Sequence, residues 1–411
     1  MKKISFLIST LLFLSIIGFS QSKMEINGYA RTYIGVGLEE PNDFNIIQNT
    51  LDLNFSKQAS KVAFHANPFI YHYDDNRLEL GLREMYLDMF LKNLDLRIGK
   101  QQIIWGKADG VFITDVVSPK DLREFLLPDF DEIRTGVTSL KLNYYKKNHN
   151  LEFVWVPKFT PTAMPDENSI WSPKMEFPIS PTWDYSKSEV ENTFENSEVF
   201  FRYSNMSSFI DFEIVTGHFY YDDPSMHINK IIDTSTMNLS GLIVSPQYHS
   251  VNMAGGSFSL PLSSFVFRGE AAYYDGRYFQ TANPAVADAA IEKNNLHYMG
   301  GLDVNIGGYK FSSQFIQEYI LDYEDGINND EFESTMTFLA AKDFFREKLF
   351  VELFAYIGIN NEDALVRPKI SYKFADGFET LLGANLFFGD QGRFGQYDKN
   401  DMIYVKFKYS F

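Results

Sequence analysis

The chain has 411 residues, with 54 Asp and Glu against 37 Lys and Arg and a formal charge of -17, which excludes the cation-rich surface that a nucleic-acid binder needs. Aromatic residues make up 16% of it, including 39 Phe and 24 Tyr, more than one soluble core requires and a sign of a non-aqueous boundary. Cysteine is absent, so no disulfide can staple the fold in an oxidising compartment.

Lys2 and Lys3 lead into an apolar stretch from Ile4 to Ile17, and Gly18-Phe19-Ser20 puts small residues at the first and third positions before a cleavage point at Gln21. Residues 1–20 are therefore read as a secretory signal peptide. The alternative, a retained anchor, has an apolar stretch that is short for a span. Losing the two lysines takes the mature chain, 21–411, to -19. No later segment offers about twenty uninterrupted apolar residues, so a membrane-embedded form has to be a closed barrel.

Period-two alternation begins at once. Met24, Ile26, Gly28, Ala30 and Ile34 oppose Glu25, Asn27, Tyr29, Arg31 and Tyr33, and Leu51, Leu53 and Phe55 oppose Asp52, Asn54 and Ser56. The pattern predicts strands at 24–36, 46–56, 61–72, 78–91, 94–105, 136–146, 149–158, 196–204 and 207–219. It resumes at 247–259, 265–275, 296–306, 309–321, 332–341, 349–359, 365–374, 378–388 and 401–411. Within 78–91 the phase slips around Arg83-Glu84, and after Ile98 either Lys100 or a neighbouring glutamine faces outward unless Gly99 forms a bulge. Ala375-Asp376-Gly377 makes a tight turn. The last strand sets Ile403, Val405, Phe407, Tyr409 and Phe411 against Tyr404, Lys406, Lys408 and Ser410.

These strands predict an all-β fold: a transmembrane antiparallel β-barrel of about eighteen strands, with sixteen still compatible. The connections supply an independent test, since one set totals roughly 27 residues and the alternating set roughly 155, as short periplasmic turns and long outer loops should. Strands of about eleven residues tilted near 45° rise some 26 Å, close to the apolar band of a barrel. The terminal strand also resembles the C-terminal signature of bacterial outer-membrane barrels. That resemblance implies outer-membrane lipid as surroundings and the barrel-assembly machinery as a partner, met through Phe411.

The third outer loop carries a second resemblance. Gly99-Lys100-Gln101, Trp105-Gly106 and Ser118-Pro119-Lys120-Asp121 are similar to a poorly characterised family of Gram-negative outer-membrane barrels with a Gly-Arg/Lys-Gln strand, a Trp-Gly end and an Asn-Pro-x-Asp loop. The match covers about residues 97–130 and departs from the pattern at Ser118, where the family carries Asn. Members often accompany exporters of lipids or hydrophobic compounds, so the resemblance implies an inner-membrane exporter as a partner in the alternative reading below. Read physically, Ser118 before Pro119 is a good start for a short helix.

This loop holds Asp109, Asp115, Asp121, Glu124, Asp129, Asp131 and Glu132 against Lys107, Lys120, Arg123 and Arg134, a local balance of -3. Folded inward it would narrow the channel over 106–135, as in general porins; the alternative is a solvated surface loop. On the facing wall the alternation turns Arg31, Arg367, Lys369, Lys373, Lys406 and Lys408 toward the lumen on strands that adjoin once the barrel closes. A basic strip facing an acidic loop is the expectation, diluted by Glu25 and Glu379, with a generally polar lumen as the alternative.

Chemistry-bearing motifs are scarce. The histidines (His65, His72, His149, His218, His227, His249 and His297) are scattered, with no HExxH, GxSxG or His-x-His. Carboxylates and amides from Asp322 to Glu331 could ligate calcium, but their spacing is not that of a standard calcium loop, and a solvated outer loop is preferred. The Pro-rich segment 159–195 with Trp171 and Trp183 should pack, extended, over the mouth, to gate or to bind a partner. The sequence thus points to a porin-like channel for passive diffusion of small polar or charged solutes, with no cofactor, metal or catalysis. The alternative is a conduit or receptor for lipid-like compounds working with an exporter; a barrel enzyme is third. Oligomeric state has no signature.

Overall fold

Antiparallel pairing between sequence neighbours accounts for nearly all the regular structure in the computed structural model, which describes residues 23–411 apart from Pro41, Glu176 and the side chains of Phe130 and Asp131. The signal-peptide segment 1–20 lies outside the described residues. In chain order the strands are β1 (Glu25–Gly37), β2 (Phe44–Ala59), β3 (Val62–Tyr73), β4 (Leu78–Leu91), β5 (Leu94–Gln101), β6 (Val137–Lys146), β7 (His149–Val156), β8 (Thr182–Trp183), β9 (Glu198–Asn205) and β10 (Asp211–Tyr220). They continue with β11 (Ser225–Ile232), β12 (Leu239–Gln247), β13 (Ser250–Leu262), β14 (Phe265–Gln280), β15 (Ala290–Ile306) and β16 (Tyr309–Ile320). The last are β17 (Phe332–Phe344), β18 (Leu349–Gly358), β19 (Asp363–Ala375), β20 (Phe378–Phe388) and β21 (Met402–Ser410).

All but β8, β11 and β12 form one 18-stranded sheet, which closes because β21 pairs with β1. Arg31 stands opposite Lys408, and the Phe411 amide donates to the Gly28 carbonyl at 3.0 Å. Each of the eighteen predicted strands has its counterpart. At the end where β1 begins and β21 finishes no connection exceeds five residues, while the other end carries the loops 102–136, 157–197 and 221–249. The strands not foreseen lie in those outer loops: β11 and β12 form a hairpin, and β8 joins it in parallel.

Burial is inverted relative to a soluble protein. Leu80 on the outer face is 70% exposed, whereas the inward Gln101 and Asn295 are 0% and Gln314 is 1% exposed. No helix among the described residues is long and apolar enough to cross a membrane.

Bulges adjust the phase where the lumen needs a charge. The β3–β4 register shifts between Asn67 and Pro68, which leaves Arg83 unpaired and lets Arg83 and Glu84 both face inward, at the slip visible in the sequence. Pro68 is tolerated there because the ladder is already interrupted. A shift between Tyr274 and Arg277 likewise turns both toward the lumen. No bulge occurs at Gly99: Lys100 pairs with Met85 and Thr138 and so shares their outward face.

Leu353, outward and mid-strand, is 46% exposed to the surroundings of the barrel. Leu353→Arg should cost about 2–4 kcal/mol of folding free energy in lipid vesicles, and Ile357→Arg near the rim less than half of that, both read from denaturant titrations.

Candidate functional site

Loop 102–136 leaves β5 and folds into the lumen, where inward side chains hold it on every side. At its start the Ile103 amide donates to Ser118 Oγ at 2.8 Å and the Trp105 amide to Asp115 Oδ1 at 3.0 Å. The Trp105 indole donates to Glu152 on β7 at 2.7 Å. Ile103, Trp105, Ile113 and Val117 then pack against a dry inner wall that includes Val154, Phe200, Val215, Met253 and Ile316.

Neighbouring residues of β14 grip the next stretch by its backbone. The Glu270 carboxylate accepts the amides of Lys107 (2.5 Å), Ala108 (3.0 Å) and Thr114 (2.7 Å) and the Thr114 hydroxyl at 2.8 Å. Arg268 donates to the Lys107 carbonyl at 2.5 Å and to Asp109, Asp303 and Ser312. Gly106 (φ +86°) permits this approach, because a Cβ would sit 2.6 Å from a Glu270 oxygen. Tyr274 and Tyr356 donate to the carbonyls of Ile113 and Gly110 at 2.6 and 3.2 Å.

The far end of the loop meets β1, β4, β19 and β21. Arg31 pairs with Glu132 at 3.0 Å, and Arg83 joins it at 3.5 Å while holding Asp52 at 3.0 Å. Arg367 donates to the carbonyls of Leu126 (2.9 Å) and Leu127 (2.7 Å), and Lys406 lies 3.5 Å from Asp129. Phe125, Leu126, Leu127 and Ile133 pack with Trp171, Phe387, Phe394 and Tyr397, so the Pro-rich outer loop contributes Trp171 to the cover.

The predicted site residues therefore divide. Arg31, Arg367 and Lys406 touch the loop directly, and Lys369 pairs with Glu352 at 2.7 Å beside them. Lys408 lies over the Tyr29 ring at 4.3 Å, and Lys373 is exposed near the periplasmic end, opposite Glu379. Among the loop acids, Asp129 meets the basic strip, Asp109 turns to Arg268, Asp115 to Arg134 at 2.7 Å, and Asp121 to Arg123 at 2.6 Å. Glu124 faces an outer cavity; the side chain of Asp131 lies outside the described residues. Three of the six cations, Arg31, Arg367 and Lys406, thus tether the loop.

Glu270, Arg268 and Arg83 were missed as site residues. The first two carried a readable signal, since Arg268 and Glu270 alternate with Phe265, Phe267 and Ala271 as inward residues must. Ser118 does not start a helix: its hydroxyl is taken by Ile103, and Lys120 forms a β-bridge with Arg134, so the only helical turn of the loop is Phe130–Ile133. Folding also joins His227 and His249, 2.9 Å apart, with Asp288 on the other nitrogen of His227 at 2.7 Å. Among the described residues no group of three or more His, Asp or Glu converges as metal ligands would, the 322–331 loop included.

Two cavities flank the far end of the loop. An outer one of about 900 Å³ lies between the loop, β1–β3 and residues 165–171, and its carboxylates outnumber its cations eight to four. An inner one of about 260 Å³ is lined by Arg367, Lys369, Lys406, Asp129 and Glu352 together with apolar side chains such as Phe112, Leu126, Phe354 and Leu381. Burial pushes the Glu124 carboxyl up to about 7. For Asp129 burial acts upward too, but Lys406, then Arg31, Lys369 and Arg367, hold its carboxyl down at about 2.

A closed 18-stranded antiparallel barrel whose third outer loop folds into a charged lumen has the architecture of a porin. Solved porins share the fold. A BenF-like porin from Pseudomonas fluorescens Pf-5 aligns over 96% of this chain and 100% of its own at TM-score 0.57 and 9% identity. Pseudomonas aeruginosa OccK8 (OprE) aligns over 95% and 98% at TM-score 0.56 and 9% identity, and Acinetobacter baumannii OccAB1 over 96% and 99% at 0.54 and 11%. No curated protein is similar in sequence. The chain belongs to the family described as protein of unknown function (DUF1302), whose profile matches residues 39–340.

The raised Glu124 carboxyl makes the outer cavity pH-sensitive. Between pH 8 and pH 6 Glu124 takes up a proton and one negative charge leaves the cavity. The reversal potential in a KCl gradient should shift toward anion preference on acidification, with a midpoint near 7, and Glu124→Gln should flatten that step.

Proposed function

We propose that the barrel is a porin-like channel for passive diffusion of small polar or charged solutes, without a cofactor or bond chemistry. The observation that supports this reading is the pair of charged cavities on either side of a loop that narrows the lumen without filling it. A water-filled passage fits an 18-stranded circumference, and the charged wall gives such a passage its selectivity. Arg367, Lys369 and Lys406 converge on the inner cavity, so that cavity is where permeant ions are discriminated. The apolar side chains there keep a second reading in play, in which the permeant carries a greasy body, as in a conduit for lipid-like compounds working with an exporter.

Planar-bilayer recording of the purified chain tests the proposal: stable open steps support the channel, whereas silence across salts together with retained amphiphile favours the conduit. Reversing the three cations to Glu should move the reversal potential toward cation selectivity; an unchanged value would reject them as the selectivity element. Glu270→Ala removes the acceptor of three loop amides, each charge-assisted bond contributing about 1.5–3 kcal/mol. It should give larger, noisier conductance steps as the loop loosens.

A further inference from the structure

The two cavities meet at one place. Lys406 and Pro128 line both of them, and at this shared boundary Lys406 pairs with Asp129 at 3.5 Å. The rest of the loop is fastened differently. Ile103, Trp105, Ile113 and Val117 pack against the apolar inner wall, and the backbone between them is held by Glu270. Leu126 and Leu127 are held through their carbonyls by Arg367, and Glu132 by Arg31 and Arg83. Asp129 sits between those anchors with its side chain 59% exposed to the lumen. It can leave Lys406 by a change of rotamer, with no displacement of the backbone, whereas the Lys406 side chain is only 11% exposed and needs an anionic partner in its place.

We infer that the Lys406–Asp129 pair is a side-chain gate, opened when the carboxylate of a permeating apolar α-amino acid replaces Asp129 on Lys406. The inference rests on the channel reading above and assigns its gate and solute class. Each part of such a solute has a counterpart on the page. Its carboxylate takes the place of the one it displaces, with Arg367 and Lys369 next along the inner cavity. Its ammonium group offsets the repulsion that a bare anion meets in the outer cavity, where carboxylates outnumber cations. Its apolar side chain matches the Phe112, Leu126, Phe354 and Leu381 surfaces of the inner cavity. The inner volume of about 260 Å³ lies at the small end of ligand-sized cavities, which fits one amino acid and not an acyl lipid.

The experiment is single-channel recording with L-phenylalanine added on the outer side, read as the concentration that half-blocks the KCl current. Lys406→Met should raise that concentration at least tenfold, Lys406→Arg should stay near the wild type, and Asp129→Asn, which removes the internal competitor, should lower it severalfold. Phenethylamine, lacking the carboxylate, should block at least tenfold more weakly than phenylalanine. Opposite signs for the two partners of one ion pair are not produced by a general loss of folding, and the heat-shifted gel mobility of each variant checks that the barrel is closed. Equal half-blocking concentrations in wild type, Lys406→Met and Asp129→Asn would overturn the gate while leaving the channel standing. Hydrocinnamate as effective as phenylalanine from the outer side would overturn the amino-acid assignment. A wild-type protein that passes no KCl current at all would remove the channel reading itself, and the gate with it.

Discussion

Hydrocarbon offers no hydrogen-bond partner, so each backbone amide and carbonyl at membrane depth has to be paired inside the protein. A sheet meets that demand only if it has no edge, and here the last residues supply the closure: β21 pairs with β1, and Phe411 exchanges hydrogen bonds with Gly28. The inverted side-chain pattern follows from this closure. Outward positions face lipid and must be apolar over the width of the membrane, which is why Leu80 and Leu353 are exposed without being a liability. Inward positions are free to be polar, and at eighteen strands they surround more space than their own side chains can fill.

That space sets the second problem, because a charged wall and an irregular loop each bring groups that are costly to leave unpaired. Each is the other's partner. Glu270 accepts three amides of loop 102–136, Arg268 and Arg367 donate to three of its carbonyls, and Glu132 receives Arg31 and Arg83. The loop needs no helix of any length because the wall does the pairing that helical turns would otherwise do. This also explains why Ser118 caps nothing of its own: its hydroxyl is already committed to the Ile103 amide across the base of the loop.

The barrel was legible in the sequence because lipid imposes a period of two on every strand, and the alternation of short and long connections repeats that message independently. Even the slip at Arg83-Glu84 showed as a break of phase, and it proved to be a bulge. The loop partners were not legible to the same degree. Alternation states that Arg268 faces inward but not what it faces, since Lys107 and Asp109, some 160 positions away, reach it only after closure and infolding. The same gap separates Lys373 and Lys408, which share the inward phase of Lys406 but lie below the loop, from the three cations that touch it. The β11–β12 hairpin escaped notice for the opposite reason. Its strands stand outside the membrane band, where nothing forces the clean alternation that marks the others.

The loop is fastened in two different ways, and the difference bears on what can move. From Ile103 to Val117 it is bound mainly by interlocked apolar side chains and by bonds to its backbone, with the Asp109–Arg268 and Asp115–Arg134 pairs beside them, and parting the apolar contacts loses packing energy. From Leu126 to Glu132 it is tied by ion pairs and by guanidinium bonds to carbonyls, on the side where both cavities lie. Charges can exchange one partner for another at little net cost when the replacement brings the same group, whereas a dry seam has nothing to exchange with. In the channel proposed above, the exchangeable contacts gather on the β19–β21 and β1 side of the loop, where a solute's carboxylate would compete with those of the protein for a short row of cations.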